Sequence, residues 1–107
     1  MAEFERSLAV NSTGLLVAAQ AVCPAMVTRG RGVLAVTGAT ASLRGKPFTA
    51  GFAPAKGAQR LLAQSLARDL GPKNVHVFYA IIDGGVRAGA AEGSKQVSRV
   101  VGYCAKI

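Results

Sequence analysis

The sequence predicts an α/β fold, a fragment of parallel sheet in the order helix, strand, helix, strand, and three observations carry that reading. Two stretches with apolar residues at steps of three or four alternate with two short apolar runs rich in β-branched residues. Glycines bound the first of these runs and end the second. The second helical stretch is long enough to return the chain across the sheet, and such a strand–helix–strand unit is a right-handed crossover. Ligands of open α/β sheets bind at the strands' carboxyl ends, which places the functional site around Gly38 to Ser42 and Asp83 to Val86.

The first helix is expected from the stripe Phe4, Leu8, Asn11, Leu15, Ala18, Val22 and Met26. Pro24 should kink or end it, and Arg29-Gly30-Arg31-Gly32 supplies the turn after it. Val33 to Thr37 reads as a strand buried on both faces, and Gly38 to about Gly51 as a loop, because it holds Gly38, Gly45, Pro47 and Gly51. From Phe52 to Leu70 a second helix carries Leu62, Leu66 and Leu70 at four-residue steps, with Leu61 beside them and Gln59, Arg60, Gln64 and Arg68 on the other side. Gly71-Pro72 stops it. Val75 to Ile82 is the second strand, with His76 outward, ended by Asp83-Gly84-Gly85. Beyond Val86 the pattern dissolves, and Val97 to Tyr103 reads equally as helix or strand. Residues 1–88 are thus expected to form the domain and 89–107 an irregular tail.

Composition narrows the function. A chain of 107 residues is one domain's worth, small for an enzyme that must cradle a dinucleotide unaided. Thirteen Lys and Arg against five Asp and Glu give a net charge of +8, which raises the question of a polyanion. The cations are spread along the chain, with only Arg29/Arg31 and Arg44/Lys46 close together, so a solvated face is the plainer reading and anion or nucleotide-phosphate contact the sharper one. Nucleic acid is not expected, because four Phe and two Tyr scattered along the chain offer no stacking platform. Cys23 and Cys104 lack CxxC spacing and His76 stands alone, which argues against a metal centre and for reduced thiols in the cytoplasm. Gln20 and Pro24 interrupt the longest apolar run, Leu15 to Met26, and no basic leader precedes it, so neither secretion nor a membrane is expected.

Four pieces in register then become specific: Val10-Asn11, the wording TGATASLRG from Thr37, AKGAQRLLAQSLARDLGPKNVHV from Ala55, and IIDGGV from Ile81. Over roughly residues 3 to 88 the chain resembles the catalytic half of short-chain dehydrogenases/reductases. The resemblance implies a partial Rossmann-like, doubly wound parallel sheet, NAD or NADP as cofactor, and a small carbonyl or alcohol as substrate. It also implies a homo-oligomer, with Leu61, Leu62 or Leu66 near a two-fold interface.

That family works with an asparagine, a serine, and a tyrosine and lysine four apart on one helix. The tyrosine exchanges a proton with substrate, and the lysine lowers the tyrosine's pKa and binds the nicotinamide ribose. The serine polarises the carbonyl, and the asparagine holds a relay water. Carried over by resemblance, the asparagine falls on Asn11 and the lysine on Lys56, while the tyrosine position holds Phe52 and the serine position Ala39. The turn after the last strand, which touches the nicotinamide, falls on Asp83, Gly84 and Val86, with the threonine position near Ala88. Both reacting hydroxyls are therefore replaced, and no glycine-rich nucleotide turn of that family occurs in these residues. Thr40 or Ser42 can offer a hydroxyl from a shifted loop. Tyr79 and Tyr103 are the available phenols, at positions that do not match.

Plainer readings stand beside each of these. Asn11 can simply bond a neighbouring backbone group, Lys56 can be a solvated cation, Phe52 a pocket wall and Asp83 a turn former. Two functions are then open: an NAD(P)-dependent oxidoreductase domain, truncated and inactive as an isolated chain, or a non-catalytic pseudo-enzyme that acts through helix-mediated self-association.

Overall fold

The computed structural model describes residues 1–83 and the backbone of residues 99–104. Helix α1 (Ala2–Leu8) passes through a π-helical turn (Ala9–Thr13) into α2 (Gly14–Arg29), which leads to β1 (Gly32–Ala39). Two 3₁₀ turns, Thr40–Ser42 and Pro47–Thr49, precede α3 (Phe52–Leu70), and a third, Gly71–Lys73, precedes β2 (Val75–Asp83). The strand β3 (Arg99–Cys104) completes a three-stranded sheet in the order β1-β2-β3. β1 and β2 are parallel, with Gly32 opposite Val75 and Ala39 opposite Ile82, and α3 is their crossover. The helix, strand, helix, strand order and the parallel pairing are those the sequence predicts.

β3 runs antiparallel to β2, with Phe78 opposite Cys104 and Asp83 opposite Arg99. The ambiguous run near Val97 to Tyr103 thus resolves as strand at Arg99–Cys104, and that part of the expected irregular tail is regular. Its β-branched Val100 and Val101 suit a pleated surface, and β2 offers an edge on that side.

Pro24 does not end the first helix, which continues to Arg29. The carbonyl that Pro24 leaves without a donor belongs to Gln20, at an exposed position open to solvent. The turn comes at Gly30, whose φ of 77° is left-handed and whose N–H reaches the Val27 carbonyl. Downstream of the π turn the buried positions are Ala19 and Cys23 rather than the expected Ala18 and Val22, and Val22 is exposed. A π turn inserts one residue and rotates the rest of the helix about its axis, and with Leu16 and Val17 also exposed, apolar residues ring α2 and blur its inner face. By length and composition alone, the continuous helix Ala2–Arg29 is apolar enough to cross a membrane. Here its Ala19 and Cys23 pack against the sheet and α3 instead.

In α3 the buried face is Ala55, Gln59, Ala63, Ala67 and Leu70, not the full leucine stripe. Leu62 and Leu66 are half-buried, Leu61 is exposed, and Gln59, expected on the outer side, is buried. The sheet explains it. Val36, Val77, Tyr79 and Ile81 fill the space beneath α3, so small residues must meet them for the helix to close on the strands. Two core clusters result, one with Met26, Val27 and Val75 and one with Val36 and Ile81, and half-buried Leu34 packs against both.

Only one face of β1 is covered. Val36 and Gly38 are buried, but Val33, Ala35 and Thr37 face solvent, contrary to the expectation of a strand buried on both sides. Both core clusters lie on the side of α2 and α3. β1 also extends through Gly38 and Ala39, residues expected in the loop. A side chain on Gly38 would run into the Tyr79 ring, so glycine is what lets the ring lie across β1. The α-helix does end at Leu70, as Gly71-Pro72 implies, but the left-handed residue there is Asn74, with φ of 63°.

Candidate functional site

The carboxyl end of β1 is pinned to α3 by a short polar chain. Buried Ser42 donates from Oγ to the Ala39 carbonyl at 2.6 Å, and its own carbonyl accepts from Arg60 Nε at 3.1 Å. The second 3₁₀ turn closes on itself. Thr49 Oγ1 accepts from the Lys46 N–H at 2.8 Å and donates to the Lys46 carbonyl at 3.1 Å. The span between β1 and α3 is therefore two anchored turns, not an irregular loop, and serine and threonine three residues from their partners are the local signal for it.

Lys56 occupies the junction of β1 and α3. Its Nζ donates to the Thr37 carbonyl at 3.2 Å and to Gln59 Oε1 at 3.1 Å, and lies 5.7 Å from the centre of the Phe52 ring. Burial lowers its pKa from the ordinary lysine value of 10.5, since both bonded acceptors are neutral and offset the lost hydration only in part. Phe52 and Lys56 thus share one face of α3, as their four-residue spacing requires. Gln59 is a site residue that the sequence pattern does not reveal. Its position one turn before Ala63 on the alanine face is the signal available.

Phe52 and Ala39 line a cleft of about 250 Å³ with Thr40, Ala41, Arg44, Lys46, Phe48, Thr49 and Ile82. Ala39 and Phe52, assigned by resemblance to the family's hydroxyl positions, line the same cleft with apolar side chains. Thr40 also lines the cleft, whereas the Ser42 hydroxyl is committed to Ala39, so of the two flanking hydroxyls only Thr40 faces this space. Tyr79 is buried beneath α3, its hydroxyl 3.5 Å from the Lys56 carbonyl oxygen, and it does not line the cleft.

Asn11 sits in the π-helical turn, which packs against α3. Its Nδ2 donates to the Ser7 carbonyl at 2.9 Å, the local backbone contact that a plain structural role would show, and its side-chain oxygen remains available to another donor. Asp83 is exposed at the end of β2. Gly84, Val86, Ala88 and the Tyr103 side chain lie outside the described residues. Among the described residues no cluster of His, Cys, Asp and Glu is fit to hold a metal.

Comparison with known proteins matches residues 1–98 to the family model described as short chain dehydrogenase. A 3alpha-hydroxysteroid dehydrogenase of Mediterraneibacter gnavus is 35% identical over 75 residues, covering 70% of this chain and 30% of that protein. A solved short-chain dehydrogenase from Rhodopseudomonas palustris superposes with a TM-score of 0.71 at 40% identity, over 74% of this chain and 37% of that one. An NAD+-bound xylitol dehydrogenase gives 0.74 at 30% identity, over 79% of this chain and 33% of that one. The chain thus spans about a third of the length of the relatives it matches.

Proposed function

The chain belongs to the short-chain dehydrogenase family, and from that premise we propose that its β1–α3 junction is the nicotinamide-ribose and substrate side of an NAD(P)-dependent oxidoreductase site. The observation that carries this reading is Lys56, whose partly desolvated ammonium is aimed by the Thr37 carbonyl and Gln59 Oε1 at the carboxyl end of β1. Lys56 Nζ has a third proton for a ribose hydroxyl. By resemblance, Asp83, Gly84 and Val86 would contact the nicotinamide and Asn11 would hold a relay water. The described residues fit the nicotinamide end of a dinucleotide and offer no cradle for its pyrophosphate. In this reading a nucleotide-binding half supplied from outside these 107 residues completes the site. The cofactor, when bound, supplies or accepts a hydride, and the substrate is a small carbonyl or alcohol in the cleft beside Phe52, in the cytoplasm.

Proton transfer is the step this chain does not provide for itself. Phe52 has no ionisable proton and Ala39 no hydroxyl, and loss of a general acid typically costs about 10²-fold to 10⁴-fold in rate. The isolated chain is therefore inactive in this reading. The test is titration with NADH, observed through nicotinamide fluorescence against a protein free of tryptophan. The 107-residue chain alone is expected to leave NADH unbound. Joined to the nucleotide-binding half of its Rhodopseudomonas relative it is expected to bind, and Lys56→Met to weaken that binding at least about tenfold. Binding indifferent to Lys56 defeats the proposal.

A second reading, self-association without catalysis, is favoured by the outer surface of the helices. An apolar groove of about 440 Å³ lies between α2 and α3, lined among others by Leu16, Val27 and Leu66. Exposed Val17, Val22 and Leu61 extend the apolar surface of the same two helices. In this reading a second copy covers them as a two-fold homodimer.

A further inference from the structure

The cleft at the end of β1 has a charge and a shape that the family relationship does not dictate. Arg44 and Lys46 are cationic, and among the described residues no acidic one lines it. Asp83 is next in sequence to the lining residue Ile82 but does not itself line the cleft. Two phenyl rings stand beside these cations. Phe48 is 84% exposed and Phe52 43% exposed, and Lys46 Nζ lies 6.0 Å from the centre of the Phe48 ring. A ring left that bare gains nothing from folding, while a ligand laid against it removes apolar area from water at about 25 cal/mol per Å². The loop that carries these groups is anchored at both ends, because Thr49 closes the turn after Lys46 and Ser42 ties the preceding turn to Ala39 and α3. At about 250 Å³ the cleft has room for a small molecule, of roughly eight waters' volume at ~30 Å³ each.

We propose that the cleft takes a small organic acid, its carboxylate held by Arg44 and Lys46 and its apolar body laid between Phe48 and Phe52. Arg44 offers the planar fork that matches a carboxylate, and Lys46 adds a point charge. Thr40 adds a hydroxyl to the lining, that of Thr49 being committed to the Lys46 backbone. The proposal rests on the reading of this end of the sheet as the substrate side of a dehydrogenase site, and it narrows the substrate there to a carbonyl or alcohol that carries a carboxylate. The anion is assigned to substrate rather than cofactor because the exposed Phe48 and Phe52 rings beside the cations suit an apolar body.

Benzoylformate, its methyl ester and inorganic phosphate are the probes, titrated separately into the isotope-labelled 107-residue chain at low ionic strength, with amide shifts observed by NMR. Benzoylformate is expected to shift the amides of Thr40, Thr49 and Phe52 with a Kd on the order of tenfold below that of the ester, the margin of one charge-assisted contact. Arg44→Gln and Lys46→Gln, both at exposed positions, should each shrink that margin, and together abolish it with the spectrum still that of the folded chain. Equal binding of acid and ester, no shift with either, or phosphate binding the same amides as tightly as benzoylformate each overturns the proposal. The NADH titration fails separately. Acid preference without dinucleotide binding in the completed protein defeats the dehydrogenase reading and leaves the carboxylate site standing. Dinucleotide binding without acid preference does the reverse.

Discussion

Gly38→Ala is the substitution whose effect the geometry determines most directly. Gly38 has no left-handed φ, so alanine suits its backbone, and replacing a strand glycine would ordinarily stabilise by about 0.4–1 kcal/mol through the unfolded state. The added Cβ, however, falls on the Tyr79 ring, which is 2% exposed and packed with Val36, Ala63 and Ile81. Overpacking a core by one methyl costs about 1–3 kcal/mol, and a rigid ring against a paired strand belongs near the upper end. The net expectation is a loss of about 2 kcal/mol, or a fall in Tm of roughly 8–16 °C for a domain of this size, read by circular dichroism. Tyr79→Leu removes the ring. In that background the same Gly38→Ala change should become neutral or stabilising, so the cycle carries a coupling of about 2 kcal/mol. Equal cost in both backgrounds, or no cost in the unaltered chain, would refute the contact and with it the register of Tyr79 over β1.

Three further outcomes are expected. In a protein completed by a nucleotide-binding half, Ala39→Ser with Phe52→Tyr should raise carbonyl reduction well beyond the product of the two single effects, since groups that act as a unit are non-additive; a double variant no better than the better single one removes the assignment of those positions. Lys56 has a folded-state pKa below its ordinary value, so between the two pKa values the unfolded chain binds more protons and stability should rise with pH. Lys56→Met should flatten that alkaline rise in urea titrations, and an unchanged slope would count against desolvation of Lys56. Leu62→Asp or Leu66→Asp should dissociate a dimer in sedimentation at micromolar concentration, and a folded monomer in the unaltered chain would exclude the self-association reading.

The alternation of elements was legible because glycines and β-branched runs punctuate the chain at Gly32, Val33 to Val36 and Val75 to Ile82. Lys56 and Phe52 were legible because four residues on a helix fix a shared face whatever packs on it. What the sequence concealed were faces decided by the partner surface. Leucine outranks alanine on any apolar count, yet Ala55, Ala63 and Ala67 face the sheet because Tyr79 and Ile81 already fill the space. Gln59 is buried because Lys56, three residues away, gives its amide oxygen a partner, and a pattern of polar and apolar letters contains no such pairing. The two anchored turns after β1 were hidden for a related reason. Their bonds run from side chains to backbone, so a stretch with Gly45 and Pro47 read only as a breaker-rich loop.

The one-sided cover of β1 links the folding free energy of this chain to the concentration of anything that binds there. Val33, Ala35 and Thr37 stand on a solvent-facing surface of β1 that exists only once the strands have paired. Whatever settles on that surface binds the folded form and not the unfolded one, and so adds RT ln(1 + [L]/Kd) to stability, about 2.7 kcal/mol at a hundredfold excess over Kd. For any such ligand, a melting temperature measured without it is a lower limit, and titration curves rather than a single scan would describe the stability of the bound chain.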